Sequence, residues 1–266
     1  MNRFVEMALV CDANTSVTHP PSRIVQSRGF QAFSAELGSR LQAGSHLILY
    51  GPRGGGKSTL LAILRDQNRS MGAPCGLAPV TSGLSDIVAA LAQAYPGTDV
   101  EGLGRRAARA RLRMAADRVS GVLLLDHATG ITTAMLGYLR RLRGGIAGAL
   151  LAVDVDTPHE RERMRAWHAG ALSIQMPPAS DRQMHQLLME AIQSSDLPQV
   201  ESKLAQQIAH GARGRIGWLN ECIRRLGMQE YWRDGRLHLA ALCTDTEIVI
   251  RESRCGPRMS WRSGGA

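Results

Sequence analysis

Eight consecutive residues, Gly51-Pro52-Arg53-Gly54-Gly55-Gly56-Lys57-Ser58, constrain this chain more than any other feature. The glycines let the backbone turn sharply and present its N–H groups inward, with no side chain in the way. Before the run stands His46-Leu47-Ile48-Leu49-Tyr50, which reads as a buried strand, and after it Leu60, Leu61, Ile63 and Leu64 continue as a helix. Strand, loop and helix in that order are the setting a phosphate-binding loop requires. In such a setting the loop wraps a phosphate chain, Lys57 reaches the β- and γ-phosphates, and Ser58 offers its hydroxyl to Mg²⁺. The helix starting there aims the positive end of its dipole at the same anion. The expected ligand is ATP with Mg²⁺, and Lys57 is expected to be partly exposed while the site is empty.

The rest of the chain alternates in the way such a loop demands. Phe30, Phe33, Leu37 and Leu41 predict a helix closed by Gly44-Ser45, and Gly76 to Thr81 a short strand. Ile87, Val88, Leu91 and Ala94 mark a helix ending at Pro96-Gly97. Leu103, Ala107, Ala110 and Met114 predict the apolar stripe of another, whose opposite side carries Arg105, Arg109 and Arg113. Val122-Leu123-Leu124-Leu125 is a strand ending in Asp126, a helix is expected from about Thr132 to Arg143, and Ala149 to Val153 is a strand ending in Asp154. A last short strand runs from Leu172 to Gln175. Strands alternating with helices of this length predict a parallel sheet covered on both faces. There the C-terminal ends of the strands share one crevice, so Asp126 would lie beside Mg²⁺ and Asp154 near the γ-phosphate, where a polar residue can position the attacking water. Asp156 and Thr157 are rivals of Asp154 for that place.

Pro177-Pro178 ends the alternation. Met184, Leu187, Leu188 and Ile192, then Leu204 and Ile208, then Ile216 to Leu226 are helical in period and read as a small lid. From Tyr231 the chain turns strand-like, with Arg236 to Leu239 and Glu247-Ile248-Val249-Ile250 as a hairpin or winged element. The expected division is an irregular segment over 1–25, an α/β nucleotide-binding domain over 26–178, the lid over 179–228, and an extension over 229–266 whose end, from Gly256, reads as disordered.

The 266 residues are enough for a full core, and 44% apolar with 21% charged residues is an ordinary globular balance. The net charge of +9 favours a polyanionic partner, with non-specific contact to DNA as the expected form. Only 11 aromatic residues are present (4 Trp, 4 Tyr, 3 Phe), which argues against a stacking platform for single strands. The five cysteines are odd in number and show no C-x-x-C pairing, so neither a metal cluster nor a disulfide framework is expected. No apolar run approaches the length of a membrane span, and Glu6 interrupts the start of the chain where a secretory segment would be apolar. The expected place is the cytoplasm, with no membrane partner.

Leu49 to Thr59, Leu123-Leu124-Leu125-Asp126 and Gly214-Arg215-Ile216-Gly217-Trp218-Leu219-Asn220, in this order, resemble the AAA+ ATPases. The likeness is nearest to the bacterial group of MuB, TniB and ExeA-like proteins and to the origin-recognition initiators, and it runs over about residues 23–227. It implies nucleotide contact along Gly51 to Thr59 and a Walker B role for Asp126. It also implies a lid arginine on the γ-phosphate, Arg215 with Arg213 as the alternative. The same family assembles into rings or filaments in which a neighbour's arginine completes the site, which points to homo-oligomers and to Arg161, Arg163 or Arg165. After the Walker B Asp the family usually has Glu, whereas this chain has His127, read either as a weak base or phosphate-sensing donor, or as a substitution that leaves ATP bound for long periods; the expected turnover is slow.

The resulting expectation is an ATP-dependent switch that assembles on DNA or on a protein, as transposition helpers do. The alternatives are a regulatory or secretion-associated ATPase acting on a protein partner, and a plain nucleotide-binding module of a larger complex docking through 231–250.

Overall fold

The structure is a computed structural model describing residues 28–79, 81, 83–95, 98, 100, 102–116, 121–128, 135, 137–138, 146–155, 171–194 and 197–252. The expected irregular segment over 1–25, most of the helix over 132–143, Asp156, Thr157, Arg161, Arg163, Arg165 and the tail from Gly256 lie outside the described residues.

Four buried, mainly apolar runs and one short mixed edge segment make the sheet: β1 (His46–Gly51), β2 (Cys75–Ala78), β3 (Gly121–Leu125) and β4 (Ile146–Asp154), with β5 (Leu172–Gln175) at the edge. They lie in the order β2-β3-β4-β1-β5, and every pairing is parallel. The two-residue pleat divides each continuous run between two faces. Leu47, Leu49, Val122, Leu124, Leu150 and Ala152 pack into one cluster, while Leu123, Leu125, Ala149 and Leu151 pack into another on the opposite face.

The first face is covered by α1 (Arg28–Gln42) and α2 (Lys57–Ser70), which bring Phe30, Leu37, Leu41, Leu60, Leu61 and Leu64. The second is covered by α3 (Leu84–Ala94) and α4 (Arg105–Ala116). Two glycines permit backbone-on-backbone approach of these layers. A Cβ on Gly76 would stand 1.8 Å from the Ala90 carbonyl oxygen, and one on Gly148 2.2 Å from that of Leu41. The only described residues of the helix expected over 132–143, Met135, Gly137 and Tyr138, are helical, with Met135 and Tyr138 buried on the second face.

Past Met176 the chain is helical: α5 (Asp181–Ser194), α6 (Ser202–Ala212) and α7 (Ile216–Leu226). Met184, Leu188, Ile208, Trp218, Leu219 and Cys222 are all buried, continuous with the cluster on the first face of the sheet. A 3₁₀ turn (Gln229–Tyr231) and a two-residue hairpin, β6 (Trp232–Arg233) with β7 (Arg236–Leu237), lead into α8 (Leu239–Glu252).

Two expectations are corrected. Glu247 to Ile250 is not a strand but the last part of α8, so the extension is a short hairpin followed by a helix. Leu242, Thr246 and Ile250 recur at i, i+4, i+8, Leu242 and Thr246 are fully buried, and the Thr246 hydroxyl donates to the Leu242 carbonyl at 2.7 Å. Docking on the helical body overrides the strand preference of Ile248-Val249-Ile250. In α4 the buried positions are Ala108 and Leu112, not the stripe from Leu103 to Met114. Met114 is 62% exposed, and Ala107 and Ala110 also face solvent. Leu112 carries the largest burial gain on the helix that leaves its flanking arginines in water, and it fixes the rotation.

Candidate functional site

Because all five strands run the same way, their C-terminal ends form one edge, with Gly51 directly opposite Asp154 in register. The phosphate-loop sequence occupies that edge. Gly54 and Gly56 stand at φ 69° and 91°, conformations that side chains disfavour, and a Cβ on Gly55 would come within 2.9 Å of the Pro52 carbonyl oxygen. The loop feeds straight into α2, whose N-cap is Gly56 and which has no side-chain cap. Its first backbone N–H groups are therefore free for an anion lying over the loop. Ser58 and Thr59 are exposed, and with Arg53, Gly54, Gly55, Gly56 and Lys57 they line a cleft.

Lys57 corrects the expectation of partial exposure. It is 6% exposed, and its Nζ donates to the carbonyls of Gly51 at 2.9 Å and Pro52 at 2.8 Å while pairing with Asp154 Oδ1 at 2.8 Å. The ammonium turns back on the loop's own oxygens because a buried cation must find acceptors.

Asp154 is the hub of the cleft's charges. Its Oδ2 also stands 3.5 Å from His127 Nδ1 and 3.8 Å from Arg53 Nε. Burial opposes ionisation of this carboxyl, but the His127 contact and the Lys57 charge outweigh it and hold its pKa down at about 2. The same contact raises the pKa of His127 against the lowering effect of its own burial.

Asp126 is 4% exposed at the end of β3. Its backbone N–H donates to the Ala78 carbonyl at 2.9 Å, its own carbonyl accepts from Thr81 N–H, and its Oδ1 accepts the His127 N–H at 2.8 Å. That last bond pins His127 in the left-handed region, φ 47°. His127 leaves the line of β3 there, with its Nδ1 3.5 Å from Asp154. Among the described residues no group of three or more His, Cys, Asp or Glu side chains could hold a metal. The donor set available in the cleft, the exposed Ser58 hydroxyl and the Asp126 carboxylate, fits Mg²⁺, which is held by one or two protein oxygens, with phosphate and water completing its shell.

The helical segment closes the cleft from the other side. Gly217 N–H donates to the Gly54 carbonyl at 2.7 Å, and a Cβ on Gly217 would be 3.0 Å from Gly54 Cα. Ile216, Gly217 and Asn220 of α7 and Ile250 of α8 join the cleft wall. Arg215, the N-cap residue of α7, is not part of that wall. Its guanidinium is bound by both carboxylate oxygens of Glu247, at 3.3 and 2.8 Å, its Nε donates to the Ala212 carbonyl, and it lies 5.8 Å from the Trp218 ring centre. Arg213 is exposed at the end of α6.

The structure thus brings Arg53, Lys57, Ser58, Thr59, Asp126, His127 and Asp154 together and leaves Arg215 held aside. Ile216, Gly217, Asn220, Glu247 and Ile250 are the additions that the reading of the sequence as a site did not make. The signal for Ile250 was the i, i+4, i+8 spacing from Leu242, masked by three consecutive β-branched residues, whereas Glu247 lies off that spacing and had no signal in the sequence.

A five-stranded parallel sheet in this order, with a phosphate-loop sequence after β1 and acidic residues at the ends of β4 and β3, is the P-loop fold of the AAA+ type. A family profile described as AAA domain matches residues 40–153. Solved structures give the same fold at low identity. The ORC2 protein of Aeropyrum pernix in its ADP form is 18% identical with a TM-score of 0.57, over 89% of this chain and 71% of that one. The Aeropyrum pernix ORC1 protein in complex with DNA is 16% identical with a TM-score of 0.55, over 82% and 65%. Domain III of the Thermotoga maritima replication initiation protein DnaA is 16% identical with a TM-score of 0.53, over 86% and 93%. The chain spans about two thirds of the length of the two origin-recognition proteins. No curated protein matches it. No helix among the described residues is long and apolar enough to cross a membrane.

Proposed function

We propose that the chain is an AAA+ switch that binds Mg-ATP in this cleft, hydrolyses it slowly and assembles, in the ATP form, on DNA. The observation that carries the reading is the convergence on one edge of an open helix N-terminus, Lys57, and two strand-end carboxylates. Gly51 to Thr59 hold the phosphates, with Lys57 leaving the carbonyls of Gly51 and Pro52 for the β- and γ-oxygens. Ser58 and Asp126 would hold Mg²⁺, which would supply positive charge to offset that of the phosphates. Residues 26–178 form the nucleotide-binding body and 179–228 the lid.

Slow turnover follows from the residue after Asp126. A carboxylate there would orient the attacking water, and loss of such a group costs about 10²-fold to 10⁴-fold in rate. His127 stands in its place, engaged with Asp154, which leaves Asp154 as the remaining acceptor at the end of β4.

DNA is favoured over a protein partner by α4. Arg106, Arg111 and Arg113 are exposed on one helix, while Arg109 is half-buried over the Tyr138 ring at 5.7 Å. The exposed cations are thus not the Arg105, Arg109, Arg113 set read from spacing, and Arg105's side chain lies outside the described residues. The initiator-like fold supports the same partner. The docking edge expected over 231–250 is weakened as an alternative, because most of that segment is a helix packed on α7.

The test is nucleotide titration followed by DNA binding at two salt concentrations, with ATP, ADP or neither. The expected result is Mg-dependent ATP binding, and DNA affinity that rises with ATP and falls steeply with salt. ATP binding with no DNA binding at low salt would favour the protein-partner reading.

A further inference from the structure

From the contacts of α8 with both sides of the cleft, we infer that this helix is a nucleotide-gated strap, with Glu247 as the positioning residue that holds Arg215 away from the γ-phosphate. The inference rests on the nucleotide reading above and extends it to a segment beyond the lid.

Two guanidiniums flank the phosphate loop, and α8 holds both. From the loop itself, Arg53 Nη1 donates to the Arg251 carbonyl at 2.7 Å, near the end of α8. From the start of α7, Arg215 is gripped by Glu247, one turn earlier, with two hydrogen bonds. Between these anchors Ile250 forms part of the cleft wall. Arg251 pairs back to Glu247 at 3.0 Å, so the carboxylate is shared between two arginines. The pairing is partly shielded, with side-chain exposures of 16% for Arg215 and 30% for Glu247.

Glu247 offers Arg215 what a phosphate offers, a bidentate anion. Both cannot be served at once. For Arg215 to reach the γ-phosphate it must leave Glu247, and the strap then loses its strongest polar anchor. Anchor loss and ATP binding are therefore coupled, and the coupling is reciprocal: a docked strap weakens ATP binding by the factor by which ATP loosens the strap. ADP lacks the γ-phosphate and competes weakly, so the strap distinguishes the two nucleotides. What remains of the docking is the buried seat of Leu242 and Thr246, which keeps the first half of α8 in place while its last two turns release.

Two measurements test this. Hydrogen exchange over α8 of the wild-type protein is expected to quicken in the turns around Glu247 with saturating ATP, and to stay near the nucleotide-free rate with ADP. Glu247→Gln, which keeps the shape but removes the charge, is expected to tighten ATP by about fivefold or more while leaving ADP within about twofold, and Glu247→Ala to do the same. ATP that binds with α8 unchanged in exchange would overturn the strap and leave the nucleotide reading standing. So would an ATP-to-ADP affinity ratio unmoved in both variants. Absence of ATP binding in the wild type would remove both readings. Should either variant fold poorly, the wild-type exchange still decides.

Discussion

Lys57 carries two duties whose costs separate by experiment. It neutralises Asp154 at 2.8 Å, and on the proposed reading it also binds phosphate. Lys57→Ala is therefore expected to abolish measurable ATP binding and also to lower stability, by roughly 3 kcal/mol, the lower end for breaking a buried pair, since His127 remains beside the carboxylate. Asp154→Asn added to Lys57→Ala should restore part of the melting temperature and none of the binding. A lysine variant as stable as the wild type would show that the pair is not holding Asp154. The carboxyl itself gives a pH signature. Its folded pKa of about 2 lies below its ordinary value of 3.8, so its stabilisation is complete above about pH 4 and disappears as pH falls through about 2. The urea midpoint difference between wild type and Asp154→Asn is expected to be largest near pH 5, to shrink between pH 4 and 2 as the carboxylate protonates, and to shrink also as pH rises above 6.5 through the raised pKa of His127, whose charged form Asp154 favours. His127 provides a third test. Turnover is expected to be slow, to rise in His127→Glu, and to be nearly unchanged in His127→Ala. Fast wild-type turnover lost in His127→Ala would make the imidazole the working base.

At the scale of elements, the glycines at close approaches predict graded effects. Gly76→Ala must force apart β2 and α3, whose backbones leave no room for a methyl group, so loss of the folded state is expected by circular dichroism. A Cβ at Gly217 meets the Gly54 backbone first, at 3.0 to 3.5 Å, and Gly217→Ala is expected to keep native helix content while weakening ATP by about tenfold, because α7 must retreat from the loop that it packs on. Equal nucleotide affinity in Gly217→Ala would show that the α7 contact is incidental. The elements that the sequence made readable are those with one dominant period. The runs Leu47 to Tyr50, Val122 to Leu125 and Ala149 to Val153 could only be buried strands, and the glycine loop fixed its own flanks. Asp126 and Asp154 followed from those strands as their end residues. Two elements were read less well because local preference and packing disagree there. Arginines at every other position of α4 left several rotations open, and Leu112 decided among them by burial. In α8 three β-branched residues spoke for a strand, and the seat on α7 decided for a helix. Arg215 was found by its motif, but its partner Glu247 lies 32 residues on, a pairing that only the fold brings about.

At the scale of the whole molecule, charge and nucleotide state should act together. ATP is expected to promote self-association, since a γ-phosphate at the rim of one subunit offers an anion to a neighbour's cations. Light scattering with ATP, ADP and no nucleotide checks this, and a strict monomer in all three with DNA present would favour a plain binding module. Replacing Arg106 and Arg113 by Glu is expected to weaken DNA binding across all sequences and to lower the salt slope by roughly two, one for each phosphate that the arginines no longer neutralise. The Gly217 N–H resting on the Gly54 carbonyl then acquires a temporal meaning. The start of α7 and the phosphate-loop sequence share this hydrogen bond, so moving one away from the other breaks it. On the proposed reading, nucleotide seated between the loop and α7 leaves as that contact opens, so Gly217→Ala, which loosens it, is expected to release ADP faster than the wild type in a stopped-flow chase.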